Sequence, residues 1–334
     1  MKNDCKVVIK RDNDWTEYSE AWKTAMEHHY WYQENPIFDF NKNEELDDMR
    51  MDFESPQSMF LSAYVGTPVD IVGVLGLRHN GLLARIRRWE PAVLPEFEKT
   101  DVARTLLDYA IDALASLGVK NVSSLFKYPV DSPELVSSYL DMYSNAGFEK
   151  RRPDSVDLVM SLSDIHHLPG RTSEIHVETG SNYTFEDLAS IVVKSFTSTP
   201  EERKIHGFDK TVTEHIQATA LLQRMADGFY GESPDELRKV AVVDGVSAGF
   251  LGAFISESKY KPLTGVLGPM AVLPDYRRRG IALHLIDEVL RTLKDYGCEF
   301  AAVGTPAANV GAIRLYEKAG FNLNCRLVNL ECEL

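Results

Sequence analysis

The stretch Ala271–Gly280, AVLPDYRRRG, decides the fold, because Ala92–Asp101, AVLPEFEKTD, repeats its opening. Both begin with the same four residues, then an acid and an aromatic. One copy continues with three arginines and a glycine, the other with Glu98, Lys99, Thr100 and Asp101. Around them Ala103, Leu106 and Asp108 match Ala282, Leu285 and Asp287. Upstream, VGVLGL (Val72–Leu77) echoes AGFLGA (Ala248–Ala253); downstream, YSNAGFE (Tyr143–Glu149) echoes YEKAGFN (Tyr316–Asn322). Three echoes in one order at nearly one offset mark a duplicated domain, with a period far too long for a solenoid.

Each copy reads as the same order of elements. A polar-flanked strand opens it (Lys6–Lys10, Ile175–Glu178), and helices follow (Thr16–Trp31; Phe185–Phe196 and Thr211–Ala226). Apolar strands come next: Met59–Val65 and Ile71–Leu77, answered by Lys239–Val243 and Ala248–Ser256. After the strand ending in AVLP, a long helix is predicted over Val102–Leu117 and Ile281–Tyr296. Leu106, Leu107, Ala110, Leu114 and Leu117 recur there at helical spacing. Glycine closes both helices, as a left-handed C-terminal turn requires. The turn-forming run Ser163–Ser173, which includes His166 and His167, is expected to link domains 1–165 and 174–334. The fold class is α/β, or α+β in stricter usage.

Bulk properties narrow the function. The 334 residues suffice for two domains, with 44% hydrophobic and 26% charged residues. No run is apolar enough to span a bilayer, and MKNDCKVVIK lacks a signal-peptide core, so a cytoplasmic protein is expected, with no membrane partner. Cys5, Cys298, Cys325 and Cys332 are scattered and read as free thiols; nothing has zinc-ligand spacing, so no metal is expected. A net charge of −14 argues against nucleic acid and mildly favours a cationic or amine ligand.

The arginine loop is the chemical signal. First-turn amides of a helix lack internal partners and carry partial positive charge, so Arg277, Arg278 and Arg279 there disfavour the helix on their own. They make sense if a polyanion docks on that end, with Gly280 and small Ala282 leaving room. In the first copy Asp101 and Glu98 suit the dipole and repel an anion. One copy is expected to bind and the other to support.

The pattern V-x-P-x-Y-R-R-x-G-x-A opening a helix, with Asn309–Phe321 (NVGAIRLYEKAGF) one helix and one strand later, resembles the GNAT superfamily of N-acetyltransferases. The resemblance covers Ile175–Leu334 well and the first half in degenerate form. It implies two tandem GNAT-like domains, each a mixed, partly splayed sheet flanked by helices. It also implies acetyl-CoA as cosubstrate, its pantetheine arm against the backbone of Met270, Ala271 and Val272 on a strand Val266–Val272 that parts from its neighbour. One amide there would face the thioester oxygen. Backbone from Arg278 and Arg279 through Gly280, Ile281, Ala282 and Leu283 would hold the pyrophosphate, Asn309 would bond the cofactor, and Tyr316 would protonate the leaving thiolate.

The general base is less legible. Stripping an ammonium near neutrality costs about 4 kcal/mol. Many family members use a glutamate on the central strand or the following one, yet neither Val266–Val272 nor Phe300–Thr305 holds an acid; Glu257 is one candidate, with a water chain or a C-terminal carboxylate as equal alternatives. The aromatic run EHHYWY (Glu27–Tyr32) reads as packing, and His206 as undecided. The expected activity is direct transfer of acetyl to a primary amine of a small molecule or peptide, by a monomer or homodimer. A non-catalytic acyl-CoA-binding regulator and a transferase of another acyl group remain alternatives.

Overall fold

Fifteen-residue helices with apolar residues at i, i+3, i+4 and i+7 follow both AVLP turns, and each lays that stripe on a sheet. A computed structural model describes residues 7–27, 41–66, 70–165, 174–196, 207–208 and 210–334. Lys6, Cys5, His166, His167, His206, most of the aromatic run and most of the linker lie outside those residues.

The chain forms two compact units. The first comprises Met1–Arg152 with Leu327–Leu334, the second Pro153–Arg326. The sequence division after residue 165 therefore does not follow the packing. Ser155–Ser161 pairs antiparallel with Phe300–Pro306 in the second unit. Residues from Leu327 belong with the first unit, where Glu149 bridges Glu331. Repetition in sequence records ancestry; which strand completes which sheet depends on edge pairing, which a repeat does not encode.

In the first unit the strands are β1 (Val8–Arg11), β2 (Ser58–Val65), β3 (Asp70–His79), β4 (Leu83–Ile86), β5 (Ala92–Val93) and β6 (Asn121–Pro129). Their order is β1-β2-β3-β4-β6, with β5 on β3 and β13 (Asn322–Glu333) beside β6. The helices are α1 (Trp15–Glu27), α2 (Lys42–Phe53), α3 (Val102–Ser116) and α4 (Glu134–Asn145). α2 escaped the sequence reading because KNEELDDMRMDF buries only Glu45 and Met49. Its start was nonetheless marked: the Asn41 side chain accepts from the Asn43 and Glu44 amides, a residue type favoured at that position.

The second unit holds β7 (Ser155–Ser161), β8 (His176–Thr179), β9 (Lys239–Val243), β10 (Val246–Ser256), β11 (Thr264–Val272) and β12 (Phe300–Pro306). Their order is β7-β12-β11-β10-β9-β8. Its helices are α5 (Phe185–Ser195), α6 (Lys210–Thr213), α7 (His215–Ala226), α8 (Ile281–Asp295) and α9 (Val310–Lys318). The expected helix from Thr211 is thus broken at Glu214. Two glycines identify the faces of this sheet. A Cβ at Gly249 would press on Ile281 and Leu285 of α8, and one at Gly252 would approach Met225 of α7. So α8 covers one face and α7 the other.

Candidate functional site: a parted strand ending in an uncapped helix

β11 carries the site, and its sequence TGVLGPMAV explains the shape. Pairing with β10 runs Phe254↔Val266, Ala253↔Leu267, then Leu251↔Met270. Two residues, Gly268 and Pro269, thus oppose the single Gly252, which is a β-bulge. Pairing with β12 on the other side stops at the same point, at Leu267↔Val303. Proline has no N–H to continue a ladder, and a bulge bends its strand. Beyond it β11 and β12 part. Gly268 has φ +147°, a conformation that favours glycine. A glycine and a proline inside a strand were the sequence signal for this bulge, and the sequence reading did not use it.

The open edge is specific. The Leu273 amide donates to the Ala248 carbonyl at 2.9 Å, so Leu273 and, two residues back, Ala271 turn their backbone groups to β10. Met270 and Val272 therefore face the gap. Of the three backbone positions named from sequence, Met270 turns both backbone groups to the gap and Val272 its amide, the Val272 carbonyl accepting from Arg277; Ala271 is held by the ladder and is 2% exposed in the core beside α5 and α7.

The loop that follows has a geometry that suits an anion. Arg278 has φ +63° and Gly280 φ +83°, so two left-handed residues bracket Arg279. Such alternation turns successive amides toward one point. Gly280 is the N-cap of α8 with no side-chain cap, and the first helical bond is His284 to Gly280 at 3.0 Å. The Ile281, Ala282 and Leu283 amides lie ahead of that bond, at the positive end of a fifteen-residue helix. A Cβ on Gly280 would meet nothing within 4 Å, so the glycine is there for its φ rather than for protein crowding.

The three arginines do different work. Arg277 is structural: its Nη2 donates to the Ser195 carbonyl at 2.6 Å and its Nε to the Val272 carbonyl at 3.2 Å, tying the loop to the end of α5. Arg279 lies over the Tyr276 ring at 5.1 Å. Arg278 and Arg279 are exposed beside the uncapped turn. In the first unit no described residue from Glu98 to Asp101 has positive φ, and the Thr100 hydroxyl accepts from the Val102 amide at 3.4 Å. Asp101 makes no side-chain cap, so its part in that turn is its charge alone.

The remaining sequence candidates fall in three places. Asn309 caps α9, its Oδ1 accepting from the Ala312 amide at 3.2 Å; that leaves the amide nitrogen to donate outward. Tyr316 is 5% exposed, edge-on to Phe321 at 5.8 Å, and its hydroxyl has no hydrogen bond among the described residues. Burial pushes that phenol well above its usual pKa. Glu257 is exposed and follows Ser256, which pairs with Thr264. That is the end of β11 away from the arginine loop, about 10 Å before the parting begins at three residues' spacing.

The acid missing from β11 stands in the first unit. If Ala92 is matched to Ala271, Glu90 falls opposite Pro269. Glu90 is 1% exposed; its carboxylate accepts from the Gly76 amide and from Tyr18 at 3.5 Å, with Arg87 at 3.9 Å. Burial pushes it up to about 8 against the pull of Arg87. The Tyr143 hydroxyl donates to the Glu90 carbonyl at 2.8 Å. Side chains thus occupy, in this unit, the place where the second unit has its gap.

Residues 202–321 match the family model described as "Acetyltransferase (GNAT) family". Over 110 residues the chain is 30% identical to an aminoglycoside N(6')-acetyltransferase type 1 of Salmonella typhimurium, covering 31% of this chain and 75% of that protein. It is 33% identical over 57 residues to the N-alpha-acetyltransferase MAK3 of Arabidopsis thaliana, 17% of this chain and 30% of that protein. Among solved structures, a GCN5-related N-acetyltransferase from Sphaerobacter thermophilus superposes with a TM-score of 0.60 at 16% identity, covering 98% of this chain and 95% of that one. A tandem GNAT protein from the clavulanic acid biosynthesis pathway gives 0.51 at 15%, covering 98% of each.

Proposed function

The chain belongs to the GNAT acetyltransferase family, and we propose that its second unit binds acetyl-CoA and transfers the acetyl group directly to a primary amine. The observation that carries this reading is the joining of two features in one strand. β11 loses its β12 partner at Gly268–Pro269 and ends six residues before the uncapped start of α8 at Arg278–Gly280. An extended arm with amide groups fits the first feature and a pyrophosphate fits the second.

The residues present suit that ligand. The amides from Gly280 to Leu283, with Arg278 and Arg279, would hold the phosphates. The Met270 and Val272 edges would pair with the arm, once Arg277 shares the Val272 carbonyl. The Met270 amide, turned into the gap, is the donor for negative charge developing on the thioester oxygen. Tyr316 stays protonated because burial raises its pKa. Its hydroxyl would hold the departing sulfur by donating a hydrogen bond rather than by surrendering a proton, since a thiol is the stronger acid at about 8.5. No cysteine lies on β10, β11 or β12, which supports direct transfer over an acyl-enzyme. The amine acceptor agrees with the names of the Salmonella and Arabidopsis relatives.

One observation favours a second reading, a non-catalytic acyl-CoA binder: β9, β10, β11 and β12 contain no acid. Calorimetry with acetyl-CoA and release of free thiol in the presence of amines separate the two. Binding with no amine-dependent release supports the binder. Absence of binding removes both.

A further inference from the structure

Three aromatic rings form a ladder on the second unit for which folding gives no reason. Phe254 of β10 carries Tyr230 at 5.7 Å between ring centroids, and Tyr230 carries Phe229 edge-on at 5.0 Å. Exposure rises along the ladder: Phe254 is half-buried, Tyr230 is 37% exposed and Phe229 71%. A single exposed ring needs no account, whereas a contiguous set of three does.

The chain fixes the ladder at both ends. α7 closes in a left-handed turn at Gly228, with the Phe229 amide donating to the Arg224 carbonyl at 3.0 Å. Gly231 has φ +129°, and a Cβ on it would overlap the Ile255 carbonyl oxygen. The Ile255 amide donates to the Glu232 carbonyl at 2.7 Å, and the buried Ser233 hydroxyl to the Ala253 carbonyl at 2.8 Å. The two outer rings are thus tied to α7 before them and to β10 after them.

The ladder stands beside the gap. Gly252 lies two residues from Phe254 along β10 and shares its face. A Cβ on Gly252 would lie 3.5 Å from Met225 of α7 and 3.3 Å from the Gly268 carbonyl oxygen. Phe254 is therefore on the α7 side of the sheet, about 7 Å along β10 from the bulge. On that face Phe254 pairs with Val266 and Val266 with Ala302, and all three are partly exposed. With a pantetheine arm running from the arginine loop to Met270, its thioester end lies at the bulge, and an acceptor approaches over these three residues.

Resting on the acetyl-transfer reading of the second unit, we propose that Phe254, Tyr230 and Phe229 seat a flat apolar group of the acceptor, so that the acceptor class is a primary amine joined to an aryl ring by a short chain. Rings attract rings in tilted and edge-on arrangements beyond the area they bury. The charge beside the outer ring is positive: the Arg224 guanidinium lies 6.0 Å from the Phe229 centroid, so a second cation gains little there. The two acids of the loop are turned elsewhere. Asp227 accepts from the Gln223 side chain at 2.9 Å, and the Glu232 charge acts on Tyr296 after α8.

The test uses the full chain with 2-phenylethylamine and n-propylamine as probes, thiol release as the rate, and acetyl-CoA calorimetry alongside. The expected kcat/KM for the aryl amine is about tenfold or more above that for propylamine. Tyr230→Ala brings the two within about threefold, through a rise in KM for the aryl amine. Tyr230→Phe keeps the preference, because the ring and not the hydroxyl is used. Phe229→Ala removes a ring that is 71% exposed, so it narrows the preference without threatening the fold. In the unmutated protein 2-phenylethanol, which has the ring without the amine, competes with the aryl amine. Equal rates with both amines, transfer to neither, a preference that survives both alanine variants, or no competition from the alcohol would overturn the proposal. So would a dimer in sedimentation that Phe229→Asp dissociates with the amine preference intact, since the rings would then serve a second copy. Failure of the unmutated protein to bind acetyl-CoA would instead sink the acetyl-transfer reading beneath it.

Discussion

Tyr143 donates its hydroxyl to the carbonyl oxygen of Glu90 at 2.8 Å, while Tyr316, its counterpart in the repeat, has a hydroxyl bonded to no described residue. Both rings are buried beside the phenylalanine of an AGF turn, Phe148 for one and Phe321 for the other. Packing keeps the ring in both copies, and only one copy leaves the hydroxyl available. Tyr143→Phe is expected to destabilise the first unit by about 1–2 kcal/mol, because it strands a buried carbonyl. Tyr316→Phe is expected to leave stability nearly unchanged and to lower kcat more than acetyl-CoA affinity. Urea melts and steady-state kinetics on both variants check this; equal kinetic effects would assign Tyr316 to packing.

Gly280 holds φ +83° at the start of α8, where Asp101 in the first unit holds φ −82°. Gly280→Asp adds both backbone strain and a negative charge beside the Ile281–Leu283 amides. Acetyl-CoA affinity is expected to fall by more than about tenfold. Asp101→Gly should leave it within about twofold, since that turn has no left-handed pair. Calorimetry on the two variants decides; equal losses would contradict the division of labour between the copies.

Arg277 and Arg279 separate structure from steering. Arg277→Ala releases the Ser195 and Val272 carbonyls and should cost about 1–2 kcal/mol of stability. Arg279 is exposed, so Arg279→Ala should leave the melting temperature alone. It should weaken acetyl-CoA binding, and the loss should shrink as salt is raised. Melting curves and binding isotherms at low and high salt distinguish the two roles.

Glu90 gives the first unit a pH dependence of definite sign. Its folded pKa of about 8 lies above the ordinary 4.5, so between those values the folded state holds a proton that the unfolded state lacks. Stability is then fully present at the acid end of that window and declines as pH rises through it. All four tryptophans, Trp15, Trp22, Trp31 and Trp89, lie in Met1–Arg152, so their fluorescence follows this unit. The urea midpoint should drop from about pH 5 to about pH 8, and Glu90→Gln should flatten the change. A midpoint that rises over that range would reverse the assignment.

The repeat, the fold class, both long helices and the arginine loop were legible in sequence because each is local: a spacing, a turn residue, a charge beside a helix start. The strand register was not. LGPM announces an irregularity in β11, but its alignment with Gly252 and Val303 decides where the sheet opens. Arg277, Arg278 and Arg279 look alike in the sequence. Only the position of Ser195 sets Arg277 apart, by taking its guanidinium as a donor to a backbone carbonyl.

Sequence by itself thus determined that the chain is a duplicated α/β protein with a glycine-led, arginine-flanked helix start in one copy only. Tertiary structure alone decided that Ser155–Ser161 pairs with Phe300–Pro306, which brings Asp157 over Gly304 at the opening of β11. The reason is physical: helical periodicity and turn chemistry act over a few neighbouring residues. Strand pairing is a choice among edges far apart in the chain, made by backbone hydrogen bonds that every residue type but proline can make.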